Sequence, residues 1–408
     1  MSPTNTHTTS PTQKALRRLL KNKPAILGMV LIGLAVIVAI LGYAITPDST
    51  PNANDQVNEI NLKPPGFSVP MLKVRKNREV PQRNFFGKML YGAENPYKLV
   101  PMSDYNIDES HIYVEVYSED ETLENTSVFD LADVVYPLSV TNPEVLTAKG
   151  VAVFQTIDNQ QKTAAAAELK SQIEDTHVYM HTYHFGTDGL GRCLLSRLLI
   201  GIRVSLAVGL LAVLISLTIG ITLGAIAGYF GGRTDDFIML IINTMWSIPT
   251  LLLVFALVLA LGRGFWQIFV AVGLTMWVDV ARIVRGQVMS LREIQFVEAA
   301  NSLGFSDGRI IRRHILPNIL GPVMVVAAAN FAIAILIEAG LSYLGFGIQP
   351  PTPSWGTMLA ENYSFLLKSN NPFPAIVPGL AIMLMVLAFN LVGNGFRDAL
   401  DVKTRLNH

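Results

Sequence analysis

The chain has 408 residues, of which 50% are apolar and only 15% charged, with a mean hydropathy of +0.39. Soluble domains usually carry about 25% charged residues, so this deficit excludes an ordinary water-soluble globule along the whole length. A formal net charge of zero offers nucleic acid no basic excess, and a single cysteine, Cys193, excludes an intrachain disulfide and a cysteine-rich metal centre.

The first apolar run, residues 25–45, has roughly the 20 residues that cross a bilayer as a helix. Lys14, Arg17, Arg18, Lys21 and Lys23 precede it with no acidic residue among them. Positive flanks stay in the cytoplasm, so residues 1–24 are expected inside and the chain leaves the membrane near residue 45. The run exceeds the apolar core of about 7–15 residues found in a cleaved signal peptide. Pro24 at its start is tolerated, because a first-turn N–H has no intrahelical partner.

A polar block, 46–185, follows. By the same parity it is expected to be extracytoplasmic. It opens on a linker-like stretch, 46–61, rich in Pro, Asn, Asp and Ser. Residues 111–117 alternate as a strand with one buried face, and 163–173, with four successive alanines, reads as a helix. The expectation is an inserted α/β domain.

Five further spans are expected near 204–229, 237–261, 265–284, 319–346 and 375–396. Gly220, Gly224 and Gly228 recur every fourth residue and place small side chains on one helix face, a packing device in lipid. Six spans with an inside start put the tail, 401–408, inside as well. Loop charges agree with that parity. Arg233, Arg285, Arg292, Arg309, Arg312, Arg313, Arg397, Lys403 and Arg405 fall on the inner side, against Arg263 and Lys368 on the outer.

The inner loop between the fourth and fifth spans, 285–318, is longer than the usual connection of about 2–8 residues. Ser290 and Glu293 form a capping-box pattern that predicts a helix start. Leu291, Ile294 and Val297 recur at threes and would seat one face on the membrane core. Ala299, Ala300 and Gly304 are small enough to let another protein approach, and Gly304 suits a C-terminal cap with positive φ. Ser306 and Asp307 would cap a second short helix over 309–314, before Pro317 opens the fifth span.

At this segment the sequence resembles a known family. Glu298-Ala299-Ala300, then Gly304, then His314, Leu316 and Pro317 looks like the EAA loop of bacterial binding-protein-dependent ABC importer permeases. His314, where the common pattern has Ile, and the Pro317-Asn318 that follows are similar to the dipeptide, oligopeptide and nickel branch. Three further motifs agree: 185–192 with Ser196 and Arg197, then 349–356, and 393–401. Cys193 stands where the family often has Asp, and the long 46–185 block has no counterpart in the resemblance.

The resemblance implies an all-α polytopic membrane protein with the type I ABC importer permease fold, here carrying the α/β insertion, in the bacterial inner membrane. It implies the C-type member of a permease pair. The other partners would be separate ATP-binding subunits, an extracytoplasmic solute-binding protein and membrane lipid. Glu298, Ala299, Ala300 and Gly304 would meet the ATP-binding subunit. The chain itself has no phosphate-binding loop of the Gly-x-x-x-x-Gly-Lys-[Ser/Thr] kind, so no enzymatic role, cofactor or metal is expected of it. The solute would be a peptide or a similar small molecule.

Two acids in spans add secondary expectations: a structural hydrogen bond to a neighbouring helix or a pathway role for Glu338, and an ion pair from Asp279 to Arg282 or Arg285. His177, His181 and His184 lie in a stretch with extended-chain features and are not expected to hold a metal. A secondary transporter would show inverted repeats, and none is visible. A membrane-anchored receptor or enzyme would place its chemistry in the 46–185 block, which carries no nucleophile motif.

Overall fold

The computed structural model describes residues 16–119, 125–141, 145–148, 150–262, 264–368 and 371–400. Lys14, Arg263, Lys403, Arg405 and the 401–408 tail lie outside the described residues. The chain divides into two compact units, one of residues to Ile37, Ile202–Ala360 and the chain from Pro378, the other of Val38–Gly201 and Glu361–Val377.

The first unit is helical. Among the described residues, five helices are long and apolar enough to cross a bilayer: Lys23–Ala44, Leu194–Phe230, Phe265–Arg292, Asp307–Tyr343 and Phe373–Leu400. The expected third span is not one helix. It is a pair, Gly232–Trp246 and Thr250–Leu261, bent by 91°. The break falls at Ser247, Ile248 and Pro249, because Pro249 lacks a donor and pushes the residue before it out of the helical region. The second span, 37 residues, is longer than the 204–229 expected from its apolar run.

Close packing in this unit follows the small residues. A Cβ on Gly220 would lie 2.5 Å from Val280 Cβ, and one on Gly224 the same distance from the Ala281 carbonyl oxygen. One on Gly228 would come within 2.6 Å of the Arg285 carbonyl oxygen, so the three-glycine face seats the second span against the backbone of the fourth. A polar clip fixes the same helices: Ser216 Oγ donates to the Met276 carbonyl at 3.2 Å, and Asn330 Nδ2 donates to Ser216 Oγ at 3.3 Å. Glu338 is fully buried and accepts from Ser342 and Ser354, each at 2.8 Å. It ties the loop after the fifth span back onto that helix; the expected bond to a neighbouring helix is not formed, the partners being Ser342 of the same helix and Ser354 of the loop.

Asp279 does not pair with Arg282 or Arg285. Arg285 pairs with Asp235 across 50 residues of sequence, and Arg282 stacks 3.8 Å from the Trp246 ring centre and reaches Asn243. Asp279 instead lines a cavity of about 290 Å³ with Trp246, Thr250 and Met276 at the break in the third span.

The second unit is built on sheets. Its larger one is antiparallel in the order β4-β3-β2-β1-β8, with β1 Phe67–Arg75, β2 Tyr97–Ile107, β3 His111–Val116, β4 Thr126–Asp130 and β8 Val178–Tyr183. The smaller is β5 Leu146–Ala148, β6 Val151–Gln155 and β7 Gln161–Ala165. The strand expected at 111–117 is β3. The helix expected over 163–173 begins only at Ala166, because 161–165 pairs with β6 as β7; strand pairing overrides the helix propensity of alanine. Alternation along β1 explains the core. Leu72 and Val74 face helices Leu131–Val135 and Ala166–Gln172. Val69 and Met71 face Val57, Ile60, Tyr183 and Cys193. The 46–61 stretch is therefore no loose linker, since Ala53, Val57 and Ile60 are buried.

The 185–192 motif forms a buried ionic knot in this unit. Arg192 Nε donates to Asp188 at 2.7 Å, and both Arg192 and Arg197 reach Glu361, at 2.6 and 3.0 Å. Gly191 holds φ +69°, and a side chain there would start 1.7 Å from the Val57 carbonyl oxygen. Only glycine fits that turn.

Candidate coupling segment

The segment between the fourth and fifth spans is shaped by which of its side chains can stay buried. Val284 and Val288 are both fully buried and keep one face of the fourth-span helix seated as far as Arg292. The helix therefore runs through Ser290 and Glu293 does not close a capping box. The short helix of this segment starts later, at Gln295, after Ile294 turns extended (φ −90°, ψ 143°). Ile294 is exposed and not seated, whereas Leu291 and Val297 pack inward as expected.

This short helix, Gln295–Ser302, sorts its side chains cleanly. Val297 and Ala300 are buried at 0% and 4% exposure among Val288, Ile310 and Ile315. Glu298 and Ala299 are exposed. Of the four residues singled out from sequence, three thus lie on the open side, while Ala300 turns to the core and is held by its small size.

The helix ends at Gly304 with φ +73°. The Phe305 N–H bonds the Ala300 carbonyl at 3.2 Å and the Gly304 N–H bonds the Asn301 carbonyl at 2.9 Å. That pair of bonds is a Schellman cap, which left-handed glycine permits. No atom lies within 4 Å of where a Gly304 side chain would begin, so the residue faces open space. Leu303 beside it is 72% exposed, and Phe296 39%.

Beyond the cap, the second short helix is not separate. Asp307–Ile310 passes through a π turn, Ile311–Ile315, directly into the fifth span. Leu316 N–H bonds the Ile311 carbonyl five residues back, and Pro317, which has no N–H, follows at once. Phe305 stacks on His314 at 6.0 Å, and the Arg309 guanidinium sits 4.3 Å from the Phe305 ring centre.

One residue that sequence reasoning did not single out holds the segment in place. Tyr229, in the last turn of the second span, donates from its hydroxyl to Asp307 at 2.9 Å, while its own carbonyl accepts from Arg292 at 2.9 Å. A tyrosine near a span end reads in sequence as an interfacial anchor, so nothing there distinguishes this one.

The arrangement is a short helix, clamped at both ends and backed by a packed core, that offers a carboxylate, small residues and exposed apolar side chains outward. Residues 220–406 match the family model described as binding-protein-dependent transport system inner membrane component, and residues 10–65 match the N-terminal TM domain of oligopeptide transport permease C. The oligopeptide transport system permease protein of Bacillus subtilis (strain 168) is 41% identical over 221 residues, 54% of this chain and 72% of that protein. This chain belongs to the binding-protein-dependent transport permeases.

The dipeptide transport system permease protein of Alkalihalophilus pseudofirmus is 44% identical with the same coverage of both chains. The glutathione transport system permease protein of Pectobacterium atrosepticum is 44% identical over 220 residues, again 54% and 72% of the two chains. Membership makes this permease a membrane component of an ABC importer and sets aside the secondary-transporter and receptor readings. The permease model begins at Gly220, and the oligopeptide-permease model stops at Pro65. Most of the sheet-bearing unit lies between the two matches.

Proposed function

We propose that this permease pairs with a second, homologous permease to form the import pathway for peptides or peptide-like solutes, driven by separate ATP-binding subunits. The observation that carries the reading is the clamped helix Gln295–Ser302, with Glu298, Ala299 and Gly304 on its open side. A rigid helix seated in a partner's groove turns closure of that partner into rocking of the spans packed behind it. Here those are the fourth and fifth spans, which share a buried cluster with the helix through Val284, Val288 and Ile319. The relatives are named for oligopeptides, dipeptides and glutathione, all of which join an amino end to a carboxylate through amides.

The chain then has no ATPase chemistry of its own and needs no cofactor. Both termini lie in the cytoplasm, the 46–185 block lies outside, and a solute-binding protein delivers to the outer face. The cavity at the broken third span, with Asp279 at its edge, belongs to the pathway in this reading. An acid within a span that lacks an ion-pair partner among the described residues marks a route for a cationic group, and a discontinuous helix is where transporters place such sites.

Glu298→Lys tests the docking. In a complex reconstituted with its ATP-binding subunits, the variant should insert normally and lose at least tenfold in solute-stimulated ATP hydrolysis. Stimulation equal to wild type would make Glu298 a solvated helix charge and remove the segment from the coupling path.

A further inference from the structure

A cavity of about 490 Å³ lies wholly within the sheet-bearing unit, inside the range of roughly 300–1,000 Å³ typical of small-ligand sites. Its floor is one face of the large sheet. Lys73 and Arg75 alternate along β1, and Tyr179, His181 and Tyr183 alternate along β8, with Met71 paired to Tyr179 in register. The roof comes from residues 47–50 with Asp55, and from the segment between β1 and β2.

The charges in this cavity do not neutralise one another. Asp48 is held by backbone donors, accepting from the Thr50 N–H at 2.8 Å and the Asp55 N–H at 3.2 Å. Asp55 accepts from Asn95 Nδ2 at 3.0 Å. Neither carboxylate has an ion-pair partner among the described residues. Burial raises the Asp55 carboxyl above its ordinary range, and the Asp48 charge adds to the rise. On the sheet side, Lys73 Nζ stands 4.0 Å from the Tyr179 ring centre and the Arg75 guanidinium 5.2 Å from that of Tyr97. Neither cation has a carboxylate partner among the described residues. Of the other charges of the lining, Glu94 pairs with Arg78 and Arg83 donates to the carbonyls of Tyr91 and Gly92, while Lys88 adds a third cation with no carboxylate partner among the described residues.

Two carboxylates, and three cations without a carboxylate partner, in one cavity set the chemistry of what fits. An anion would be repelled by Asp48 and Asp55, and a simple cation by Lys73 and Arg75. A molecule carrying both charges satisfies both walls, and the Tyr179 and Tyr183 rings give its body an apolar surface. We infer that this cavity binds a small zwitterionic solute, a short peptide or an amino acid, with its ammonium on Asp48 and Asp55 and its carboxylate on Lys73 and Arg75. The choice of peptide rests on the importer reading; the charge argument does not. The site goes beyond that reading, because forming a pathway requires no solute site in this unit.

The test uses the purified full-length chain in detergent, titrated calorimetrically with dialanine. Saturable binding is expected. N-acetyl-dialanine and dialanine amide should each bind at least tenfold more weakly, and free alanine shows whether one residue suffices. Two variants then separate contact from damage. Lys73→Met should weaken dialanine at least tenfold yet leave the residual affinity of dialanine amide unchanged. Asp55→Asn should weaken dialanine yet leave that of N-acetyl-dialanine unchanged. Equal affinity for free and blocked peptides, a loss in both variants for every probe, or no saturation up to about 10 mM overturns the site. Dialanine-stimulated ATP hydrolysis by the reconstituted complex is measured in parallel. Stimulation without binding to this chain removes the site and leaves the importer, whereas binding with no stimulation by any peptide does the reverse.

Discussion

Gly304 is where backbone geometry and the proposed partner contact meet. Its φ of +73° closes the Schellman cap, and its open surroundings mean that a substitution strains the backbone without striking this chain. Such strain costs on the order of 1–3 kcal/mol for a β-branched residue, whereas asparagine visits this region readily. Gly304→Val is expected to lower transport at least tenfold while its amount in the membrane stays within about twofold, tenfold corresponding to ~1.4 kcal/mol. Gly304→Ala should fall between, and Gly304→Asn should keep the helix end and show the effect of side-chain bulk alone. Transport rate against membrane level for the three variants checks the order; a wild-type rate for Val would leave Gly304 an ordinary loop glycine. The positive φ was legible in sequence from the glycine's place after the small residues. The inward turn of Ala300 was not, because an alanine fits a buried face and a contact face equally well.

A second residue gives a pH dependence. Burial lowers the His181 pKa below its ordinary value, and His184 and Lys73 push the same way while Asp48 opposes them. A base whose folded pKa is depressed takes up fewer protons folded than unfolded, so stability rises with pH across that interval. The contribution is fully present above the unfolded value of about 6.5 and is lost as pH falls from there toward the folded value. The melting temperature of the sheet-bearing unit should drop between pH 7.5 and 5.5, and His181→Gln should flatten that drop. An equal drop in the variant would assign it to other groups.

At the scale of elements, the sequence is most informative where a repeat has one physical use. The Gly220, Gly224 and Gly228 face meets the fourth-span backbone as small residues in lipid should. Gly224→Leu puts its first carbon 2.5 Å from the Ala281 carbonyl oxygen, an atom that cannot rotate away. Overpacking of this kind costs about 1–3 kcal/mol, and the variant should be depleted from the membrane several-fold, read by immunoblot of membrane fractions. Element ends were harder to read. The fourth helix runs to Arg292 because Val288 remains buried, a tertiary fact that no capping pattern contains. The third span breaks at Pro249 although its apolar run continues on both sides. Asp235 and Arg285 find each other across 50 residues, whereas local spacing offered Asp279 as the partner.

At the scale of the whole molecule, the six apolar segments correspond to five helices long enough to cross a bilayer and one bent pair, while the sheet-bearing unit was legible only as a polar block with a strand and a helix in it. Its second piece, Glu361–Val377, runs from after the fifth span into the start of the sixth, and nothing in that short stretch announces that Glu361 shares two buried arginines with Asp188. Orientation is open to a direct test. Val140 is 77% exposed, and the one native cysteine, Cys193, is buried. Val140→Cys should react with a membrane-impermeant maleimide once the outer barrier is opened and the inner membrane is intact. Reaction only after the inner membrane is broken would reverse the six-span parity.

The π turn at Ile311–Ile315 sets the phase of the fifth span. A helix advances about 100° and 1.5 Å per residue, and a π turn stores one residue more than an α turn of the same closure. Upstream of it, Ile310 is locked in the coupling core; downstream, Ile315 and Ile319 are locked in the same cluster. Tightening that turn to α would wind the segment before it by about a sixth to a third of a revolution relative to the span, and the isoleucine anchors on the two sides of the turn would have to unseat together. On the proposed docking, the fifth span and the helix that carries Glu298 turn as one shaft, with the extra residue as its keyway.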